Sequence, residues 1–350
     1  EILTFMVVAV NVALGVLLSR RARAIKLFAL LQGPGMLLIA LVSGALSLKS
    51  PPHPGTTVSI AVIQPNISNL EKWSLAERPA HLHTMERLID IATREGPQMI
   101  VLPETSIPGF VRFEDDLTEW VKGTVVRANC PLLFGTLDRT EDASRCFNAA
   151  ILITPYDTVF TYYKMRLVPF VESGLGFGLI ERLFHHSASS PGTTPRSFTA
   201  GTNYTIFKTR ELSFGTLICY EDIFPDLACS LKLRGAQLIV ALINTERFNH
   251  SSLPLQHLRR ARLTAVAAGL PILRCSNSGI SCLVDSRGRL SGLLEDTAKR
   301  RIGFQGASVF TISLECTDTT YSRYGNTPGL LFLLGSLGLA VLVCHATSRL

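Results

Sequence analysis

Residues 212–225 have the sequence Leu-Ser-Phe-Gly-Thr-Leu-Ile-Cys-Tyr-Glu-Asp-Ile-Phe-Pro, in which an apolar run is followed abruptly by charged residues and a proline. The first seven residues are mostly apolar and predict a buried β-strand. Pro225 suits the first turn of a helix, and Asp222 is a candidate cap for that helix. These residues therefore predict a strand-to-helix elbow, a unit typical of layered α/β domains.

Cys219 lies at this elbow, directly after the predicted strand. Backbone N–H groups at the beginning of a helix are unpaired and carry partial positive charge. We therefore expect them to lower the pKa of the thiol and to offer an oxyanion site. A free cysteine is just as commonly a buried structural residue, so Cys219 alone does not indicate a nucleophile.

The alternation of strand and helix extends over residues 57–310. We predict strands at 58–63, 98–102, 132–137, 149–154, 159–163, 204–208, 212–218, 238–243, 272–275, 280–285 and 307–312, helices at 80–94, 115–128, 225–234 and 254–268, and a hairpin turn at 286–288. Strands that alternate with helices and are joined by several hairpins indicate a layered α/β domain. Residues 173–201 are rich in Gly, Ser and Pro, and a loop of that length is typical of a lid or a binding loop.

The two ends of the chain are much more apolar than its middle. The 350 residues are 47% hydrophobic and only 17% charged, which is too apolar for an ordinary soluble enzyme and excludes a disordered chain or a coiled coil. Uncharged apolar runs lie at residues 2–18, 27–48 and 328–344. Each is close to the length of about 20 residues that a helix needs to cross a bilayer. We therefore predict three membrane-spanning helices.

A basic loop between the first two apolar runs predicts the orientation in the membrane. It contains Arg20, Arg21, Arg23 and Lys26, and the positive-inside rule places it in the cytoplasm. We accordingly divide the chain into membrane helices in residues 1–50, an extracytoplasmic domain in residues 51–324 and a C-terminal membrane helix in residues 325–350. Because the chain starts at Glu1 without a basic region, we expect a fragment of a longer protein rather than a secretory signal.

The cysteines and the net charge indicate which disulfides, ligands and partners to expect. Outside the cytoplasm disulfides can form, and Cys130 with Cys146, or Cys275 with Cys282, are candidate pairs between which the sequence does not decide. Cysteines and histidines do not occur at zinc spacing, so we expect no metal and no cofactor. The net charge of +7 is spread along the chain, so we expect no nucleic-acid partner.

Two further polar residues stand at the ends of predicted strands. Glu104 follows strand 98–102, and Lys164 follows strand 159–163. Because α/β sheets gather their sites at strand ends, both are candidates to lie beside Cys219. A carboxylate can accept the proton of a thiol, and an ammonium can stabilise a tetrahedral oxyanion. Either residue alone would be interpreted as a surface charge.

Together these motifs resemble the nitrilase, or carbon-nitrogen hydrolase, superfamily, and more narrowly the bacterial apolipoprotein N-acyltransferases. The matching segments are Leu-Pro-Glu-Thr-Ser-Ile-Pro at 102–108, Tyr-Lys-Met-Arg-Leu-Val-Pro-Phe-Val-Glu at 163–172, Ile-Cys-Tyr-Glu at 218–221 with Phe-Pro at 224–225, Gln-His-Leu at 256–258 with Ala-Arg at 261–262, and Arg-Cys-Ser-Asn-Ser-Gly-Ile at 274–280. The resemblance covers nearly all of the middle region and extends to the flanking apolar runs.

The chain departs from the family pattern at two places. The family usually has Trp before Pro-Glu, where this chain has Leu102. Residues 244–249 are Asn-Thr-Glu-Arg-Phe-Asn, where the family usually has Asn-Asp-x-Trp-Phe-Gly. The missing aromatic residue and glycine bear on recognition of the donor or the acceptor, whereas the Glu-Lys-Cys triad is intact.

The resemblance implies an α-β-β-α layered fold flanked by transmembrane helices, and a role for each triad residue. Glu104 would be the general base, Lys164 the oxyanion stabiliser and Cys219 the nucleophile. It also implies accessory residues: Glu172, Tyr220 and Glu221, of which Tyr220 matches a residue whose N–H assists the oxyanion.

The resemblance further implies the substrates and their location. Cys219 would take a fatty acyl chain from a membrane phospholipid as a thioester and pass it to the free N-terminal amine of a diacylglyceryl-cysteine lipoprotein, at the outer face of a bacterial inner membrane. Two other interpretations remain open. In a membrane-tethered amidase or nitrilase, water would resolve the thioester, and in a membrane-anchored binding protein the triad would be inactive.

Apolar residues in the long loop are candidates for contact with lipid. Leu175, Phe177, Leu179 and Ile180 lie in its Gly-rich beginning. We hypothesise that they dip into the membrane interface or line the path of the acyl chain. The alternative is that they pack beneath the loop.

Overall fold

The computed structural model describes residues 2–18, 23–49, 55–173 and 197–348. In this part of the chain, strands form two six-stranded sheets. The strands are β1 (Thr57–Gln64), β2 (Met99–Val101), β3 (Leu132–Arg139), β4 (Cys146–Ile153), β5 (Val159–Tyr163), β6 (Ile206–Lys208), β7 (Ser213–Ile218), β8 (Leu238–Ile243), β9 (Ile272–Ser276), β10 (Cys282–Val284), β11 (Leu290–Leu293) and β12 (Gly306–Ser313).

The two sheets share one plan, with parallel strands at the centre and antiparallel strands at the margins. Sheet one has the order β12-β1-β2-β3-β4-β5, and sheet two has the order β11-β10-β9-β8-β7-β6. Strands β1, β2 and β3 run parallel in the first sheet, and β7, β8 and β9 run parallel in the second. Because sites collect at the carboxyl ends of parallel strands, the segments after β2 and β7 are where functional side chains are expected.

The described residues form nine α-helices, and the four that lie between β1 and β9 along the chain cover the outer faces of the sheets. The helices are α1 (Ile2–Leu18), α2 (Arg23–Leu30), α3 (Met36–Lys49), α4 (Arg78–Thr93), α5 (Asp115–Ala128), α6 (Pro225–Leu233), α7 (Leu253–Ala268), α8 (Thr320–Tyr324) and α9 (Thr327–Ser348). Helices α4 and α5 pack with the outer face of sheet one around Met85, Leu117 and Val121. Helices α6 and α7 pack on each other and on sheet two.

The main core lies between the two sheets. Side chains of β1 such as Ile60 share one buried cluster with Phe214 and Ile218 of β7 and Val240 of β8. Each fully buried side chain of this kind contributes about 1.5–3 kcal/mol to stability. The layers therefore follow the order helix, sheet, sheet, helix, as the resemblance implied.

The predicted strands and helices are present, with boundaries shifted by a few residues. The sequence analysis missed β11, a short strand of Leu-Ser-Gly-Leu that is largely exposed and has no apolar alternation. It pairs antiparallel with β10 across the turn that was predicted at 286–288. Its position as an edge strand explains why the buried-strand pattern is missing.

Neither candidate disulfide forms, and the described cysteines with placed side chains are free. Cys282 pairs across the ladder with Arg274. Its candidate partner Cys275 is the next residue of β9, so its side chain points to the opposite face. Cys130 precedes β3, whereas Cys146 pairs with Arg139 at the other end of that strand, and at about 3.4 Å per residue the two are roughly 20 Å apart.

The apolar ends form a unit of their own. The chain divides into residues 1–53 with 320–350, and residues 54–319. In the first unit, α2 and α3 join through a π-helical turn, Leu31–Gly35, that contains Pro34. Among the described residues one helix, Ile25–Leu46, is long and apolar enough to cross a membrane. The other two apolar runs are helical, and their insertion in a membrane stays a prediction.

Candidate active site

Cys219 occupies a strained position at the end of β7. It begins a 3-10 turn, Cys219–Ile223, and its φ of +51° lies in the left-handed region. A residue other than glycine in that region costs about 1–3 kcal/mol, and such residues cluster at active sites. Helix α6 begins at Pro225, as predicted, but its N-cap is Phe224 without a side-chain cap. The prediction that Asp222 caps this helix is therefore wrong.

Asp222 is instead part of a buried ionic cluster behind the elbow. Its carboxylate lies 2.7 Å from Nε2 of His257 in α7 and forms an ion pair with Arg274 of β9. Asp222 and Arg274 are almost completely shielded from solvent. Breaking a buried pair leaves an uncompensated charge, which is strongly destabilising. The cluster therefore fixes the 3-10 turn against α7 and β9.

Glu221 ties the elbow to the segment that carries Lys164. Its carboxylate accepts hydrogen bonds from the backbone N–H of Ile218 (2.8 Å), Met165 (2.7 Å) and Arg166 (2.9 Å). It also accepts one from the hydroxyl of Tyr162 (2.9 Å). Burial raises the pKa of Glu221, and the donors at Ile218 and Arg166 partly offset that rise. This accessory residue therefore lies beneath the site and brings two distant segments together.

Glu104 and Lys164 meet in a second cluster at the end of sheet one. The Nζ atom of Lys164 lies 3.4 Å from Oε1 of Glu104 and 2.8 Å from Oε1 of Glu172. Asn148 of β4 donates from Nδ2 to Glu104 (2.9 Å) and to Glu172 (3.4 Å). The backbone N–H of Val168 donates to Oε2 of Glu172 (2.8 Å). Glu172 thus holds the lysine that also reaches Glu104.

Electrostatic interactions connect this cluster to Cys219. Burial raises the pKa of the Cys219 thiol well above its ordinary range, Glu104 raises it further, and Lys164 lowers it. The expectation of a lowered thiol pKa is therefore wrong, because burial and Glu104 raise the pKa by more than Lys164 and the backbone of Asn244 lower it. Burial would lower the pKa of Lys164, but Glu104 and Glu172 outweigh it, so this pKa is raised. These surroundings therefore favour the thiol form of Cys219 and the ammonium form of Lys164.

The turn that carries Glu104 is set by close backbone packing. It follows β2, and Thr105 has a φ of +44°. A Cβ atom added to Gly135 of β3 would lie 2.4 Å from the backbone nitrogen of Thr105 and 2.7 Å from Cα of Glu104. Only glycine therefore allows β3 to approach the turn this closely.

The other predicted site residues are Tyr220 and four apolar residues of the long loop. Tyr220 is half-buried in the turn after Cys219, and its ring packs edge-to-face on Phe224 with centroids 4.9 Å apart. Its role at an oxyanion stays a prediction. Leu175, Phe177, Leu179 and Ile180 lie outside the described residues.

The sequence analysis missed three polar residues at the site. Asn148 lies in the apolar strand β4, where a lone buried amide is a signal that could have been used. The backbone oxygen of Asn244, after β8, lies 3.8 Å from Sγ of Cys219. Lys72 is buried and donates from Nζ to the backbone oxygen of Glu104 (3.1 Å) and to Oγ1 of Thr105 (2.7 Å). It belongs to an irregular segment, so no strand-end pattern marks it.

Metal binding has no support in the described part of the chain. No group of three His, Cys, Asp or Glu side chains there is arranged to hold an ion.

The chain matches known proteins over most of its length. The model of the carbon-nitrogen hydrolase family matches residues 59–303. An apolipoprotein N-acyltransferase of Allorhizobium ampelinum is 32% identical over 79% of this chain and 52% of its own length. That of Brucella melitensis biotype 1 is 33% identical over 68% of this chain and 45% of its own length. The chain thus spans about half the length of these curated relatives.

Solved structures share the fold. An amidase of the nitrilase superfamily from Nesterenkonia has a TM-score of 0.54 and 17% sequence identity, and the match covers 78% of this chain and 96% of that one. A carbon-nitrogen hydrolase from Helicobacter pylori has a TM-score of 0.55 and 13% identity, covering 78% of this chain and 93% of that one. At these identities the likeness is one of fold.

Proposed function

The chain belongs to the carbon-nitrogen hydrolase family, and we propose that it is an N-acyltransferase that modifies lipoproteins. It moves a fatty acyl chain from a membrane phospholipid, through a thioester on Cys219, to the free N-terminal amine of a diacylglyceryl-cysteine lipoprotein. The observation that carries the proposal is the cluster in which Glu104 and Lys164 lie 3.4 Å apart and both act on the pKa of Cys219. The similarity to apolipoprotein N-acyltransferases supports this choice of substrates.

In the first half-reaction, the carboxylate of Glu104 accepts the proton of the Cys219 thiol as sulfur attacks the ester carbonyl carbon. The negative charge that develops on the carbonyl oxygen is stabilised by the ammonium of Lys164 and by backbone N–H groups of the turn at Tyr220. Collapse of the tetrahedral adduct breaks the carbon–oxygen bond of the ester. The departing lysophospholipid oxygen takes the proton from Glu104, which leaves the acyl thioester.

In the second half-reaction, the neutral amine of the lipoprotein attacks the thioester carbonyl carbon. Glu104 accepts a proton from this nitrogen, and Lys164 again stabilises the oxyanion. Collapse breaks the carbon–sulfur bond, and the proton on Glu104 returns to the sulfur of Cys219. The products are an amide and the original thiol, so the net reaction transfers one acyl group.

Attachment to a membrane suits both substrates. Each buried CH₂ of a lipid contributes about 0.8 kcal/mol to its membrane affinity, so the active site must work at the bilayer surface. The helix Ile25–Leu46 is long and apolar enough to serve as a membrane tether. By the positive-inside rule, the basic residues Arg20, Arg21, Arg23 and Lys26 support a catalytic domain on the extracytoplasmic side of the inner membrane.

The long loop offers a test of how the donor reaches the site. We expect replacement of Leu175, Phe177, Leu179 and Ile180 by Asp to slow acylation from phospholipid vesicles while sparing a water-soluble acyl thioester donor. The reason is that charged side chains do not enter the acyl region of a membrane. Equal loss with both donors would contradict a role in lipid contact.

Mass spectrometry of the full chain in detergent, incubated with phospholipid, tests the function itself. We expect an acyl adduct on Cys219 that is discharged by a lipopeptide with a free N-terminus but not by the same lipopeptide acetylated at its N-terminus. Release of free fatty acid at the same rate with and without the lipopeptide would favour the hydrolase. Absence of any adduct from phospholipid or from a soluble thioester would contradict both enzymes and favour an inactive binding protein.

A further inference from the structure

The base and the nucleophile of the proposed reaction belong to different sheets. Glu104 follows β2 of sheet one, and Cys219 follows β7 of sheet two. Two packed sheets can shift slightly against each other, and a misplacement of about 1 Å can cost about 100-fold in rate. A segment that binds both sheet ends would hold the two groups in register. Residues 66–72, here called the bridging segment, make such contacts.

The first half of the bridging segment is fixed to sheet two by Asn277, which follows β9. The backbone N–H of Asn66 donates to the backbone oxygen of Asn277 (2.7 Å), and that of Ile67 donates to its Oδ1 (3.1 Å). In return, Nδ2 of Asn277 donates to the backbone oxygen of Ile67 (2.7 Å). Asn277 is buried, so these contacts are shielded from competing water.

The middle of the bridging segment reaches the neighbourhood of the nucleophile. Oδ1 of Asn69 accepts a hydrogen bond from Nδ2 of Asn244 (2.8 Å), and the backbone N–H of Asn69 donates to Glu246 (3.1 Å). The backbone oxygen of the same Asn244 lies 3.8 Å from Sγ of Cys219. Asn69 is therefore connected to the sulfur of Cys219 through a single intervening residue, Asn244.

The far end of the bridging segment holds the base. Nζ of Lys72 donates to the backbone oxygen of Glu104 (3.1 Å) and to Oγ1 of Thr105 (2.7 Å). Gly135 of β3 packs closely against the same turn. An ammonium group offers three donors in a compact head, so one side chain can bind both neighbouring acceptors of the turn.

The charge of Lys72 is kept at an energetic cost. Burial lowers its pKa from 10.5 to about 8, although Glu104, Glu246 and Cys219 each raise it. An apolar side chain of similar length would fill the space without this cost. The hydrogen bonds to the Glu104 turn are what such a side chain would lack.

We propose that Lys72 is a positioning residue of the active site, and that the bridging segment, anchored by Lys72 and Asn69, sets the placement of Glu104 relative to Cys219. The inference rests on the proposed thioester chemistry. It goes beyond that chemistry because the segment contributes no group to the reaction. It also gives two residues of the segment 244–249 a role, since Asn244 and Glu246 are the partners of Asn69.

Single-turnover acylation of Cys219, followed by mass spectrometry over a range of phospholipid concentrations, tests the proposal. For Lys72→Met we expect the rate constant of acylation to fall about 100-fold with an unchanged half-saturating phospholipid concentration. The matched control is Lys232→Met, which removes a lysine that donates to the backbone oxygens of Ala268 and Thr317. We expect this variant to acylate at the wild-type rate.

A double-variant cycle tests whether the segment acts as one unit. We expect Asn69→Ala alone to slow acylation about tenfold, and Asn69→Ala with Lys72→Met to be no slower than Lys72→Met alone, because groups that act together are not additive. Thr105→Val keeps the shape of the turn but removes one acceptor of Lys72. We expect the rate of acylation to fall about tenfold, and this variant keeps the test valid should Lys72→Met not fold.

The outcomes separate the two proposals. If the wild-type chain forms no adduct on Cys219, the proposed function fails. If the wild-type chain forms the adduct and folded Lys72→Met matches Lys232→Met, or Thr105→Val matches the wild type should Lys72→Met not fold, the positioning role is overturned. Independent, multiplicative effects of Asn69→Ala and Lys72→Met would overturn the single bridging unit.

Discussion

The turn after β2 and the elbow after β7 are built alike but use their carboxylates differently. Each follows a central parallel strand, and each contains a residue in the left-handed region, Thr105 at φ +44° and Cys219 at +51°. Glu221 accepts four hydrogen bonds, three of them from backbone N–H groups. Among the described residues, Glu104 accepts only from Asn148 and, at 3.4 Å, from Lys164, both at Oε1.

This difference separates a structural carboxylate from a reactive one. A carboxylate has about four acceptor sites on its two oxygens. In Glu221, Oε1 accepts three hydrogen bonds and Oε2 accepts one, all from donors that hold the elbow and the segment after β5 in place. Glu104 retains acceptor capacity on the carboxylate that faces Lys164. The comparison therefore predicts that Glu104 matters for rate and Glu221 for stability.

The largest expected effect is on the rate in Glu104→Gln. We expect acylation of Cys219 to slow about 10³-fold, because an amide cannot accept the thiol proton and general-base contributions are about 10²–10⁴-fold. The measurement is single-turnover adduct formation, with the unfolding temperature recorded for the same sample. Acylation at the wild-type rate in this variant would contradict the role of Glu104 as general base. It would also contradict the proposed difference between Glu104 and Glu221.

Glu221→Gln should show the opposite profile, with a loss of stability first. We expect the free energy of unfolding to fall by about 3 kcal/mol, because the amide nitrogen that replaces one oxygen faces N–H donors and leaves them unsatisfied. Denaturant unfolding of the chain in detergent, followed by fluorescence, measures this change. An unchanged stability together with a lost activity would move Glu221 into the reaction and break the distinction.

Much of this arrangement follows from local sequence patterns. The apolar runs before Glu104 and Cys219 predict strands, and the rule that sites gather at strand ends predicts that both residues lie close to Lys164. The layered fold follows from the alternation of strands and helices. These inferences hold because strand formation and chain reversal depend on neighbouring residues.

What the sequence could not provide depends on packing between distant residues. Glu221 lies two residues after Cys219, yet its partners Met165 and Arg166 follow β5 of the other sheet. The pKa of the Cys219 thiol is raised mainly by burial, which no short motif encodes. Lys72 contacts Glu104 across 32 residues, and the orientation of Cys275 and Cys282 depends on strand register.

A third prediction concerns Lys72, which supports the turn that carries Glu104 and titrates at alkaline pH. Lys72 has a pKa lowered to about 8 by burial, in surroundings that include Glu104, Glu246, Cys219 and His81. Between about pH 8 and 10.5 the unfolded chain binds more protons at this residue, so its contribution to stability rises with pH. We expect wild-type stability, relative to Lys72→Met, to increase by about 2 kcal/mol from pH 7.5 to 9.5.

Subtracting the free energy of unfolding of Lys72→Met from that of the wild type cancels the contributions of the other groups that titrate in this range, such as the cysteines with raised pKa values. Denaturant unfolding at the two pH values, with Lys232→Met as the reference for loss of a lysine, provides the measurement. A difference that does not change with pH would mean that Lys72 is not buried as an ammonium against the Glu104 turn.

The smallest effect is expected for Tyr162→Phe, which tests the elbow by removing one of the four donors to Glu221. The three backbone N–H groups remain and keep the carboxylate in place. We therefore expect the free energy of unfolding to fall by only about 1 kcal/mol and the rate of Cys219 acylation to stay within about twofold. A larger loss of rate than of stability would mean that the tyrosine hydroxyl acts on Lys164 or Cys219 through Glu221. The elbow would then share the reactive character that the comparison assigns to the Glu104 turn alone.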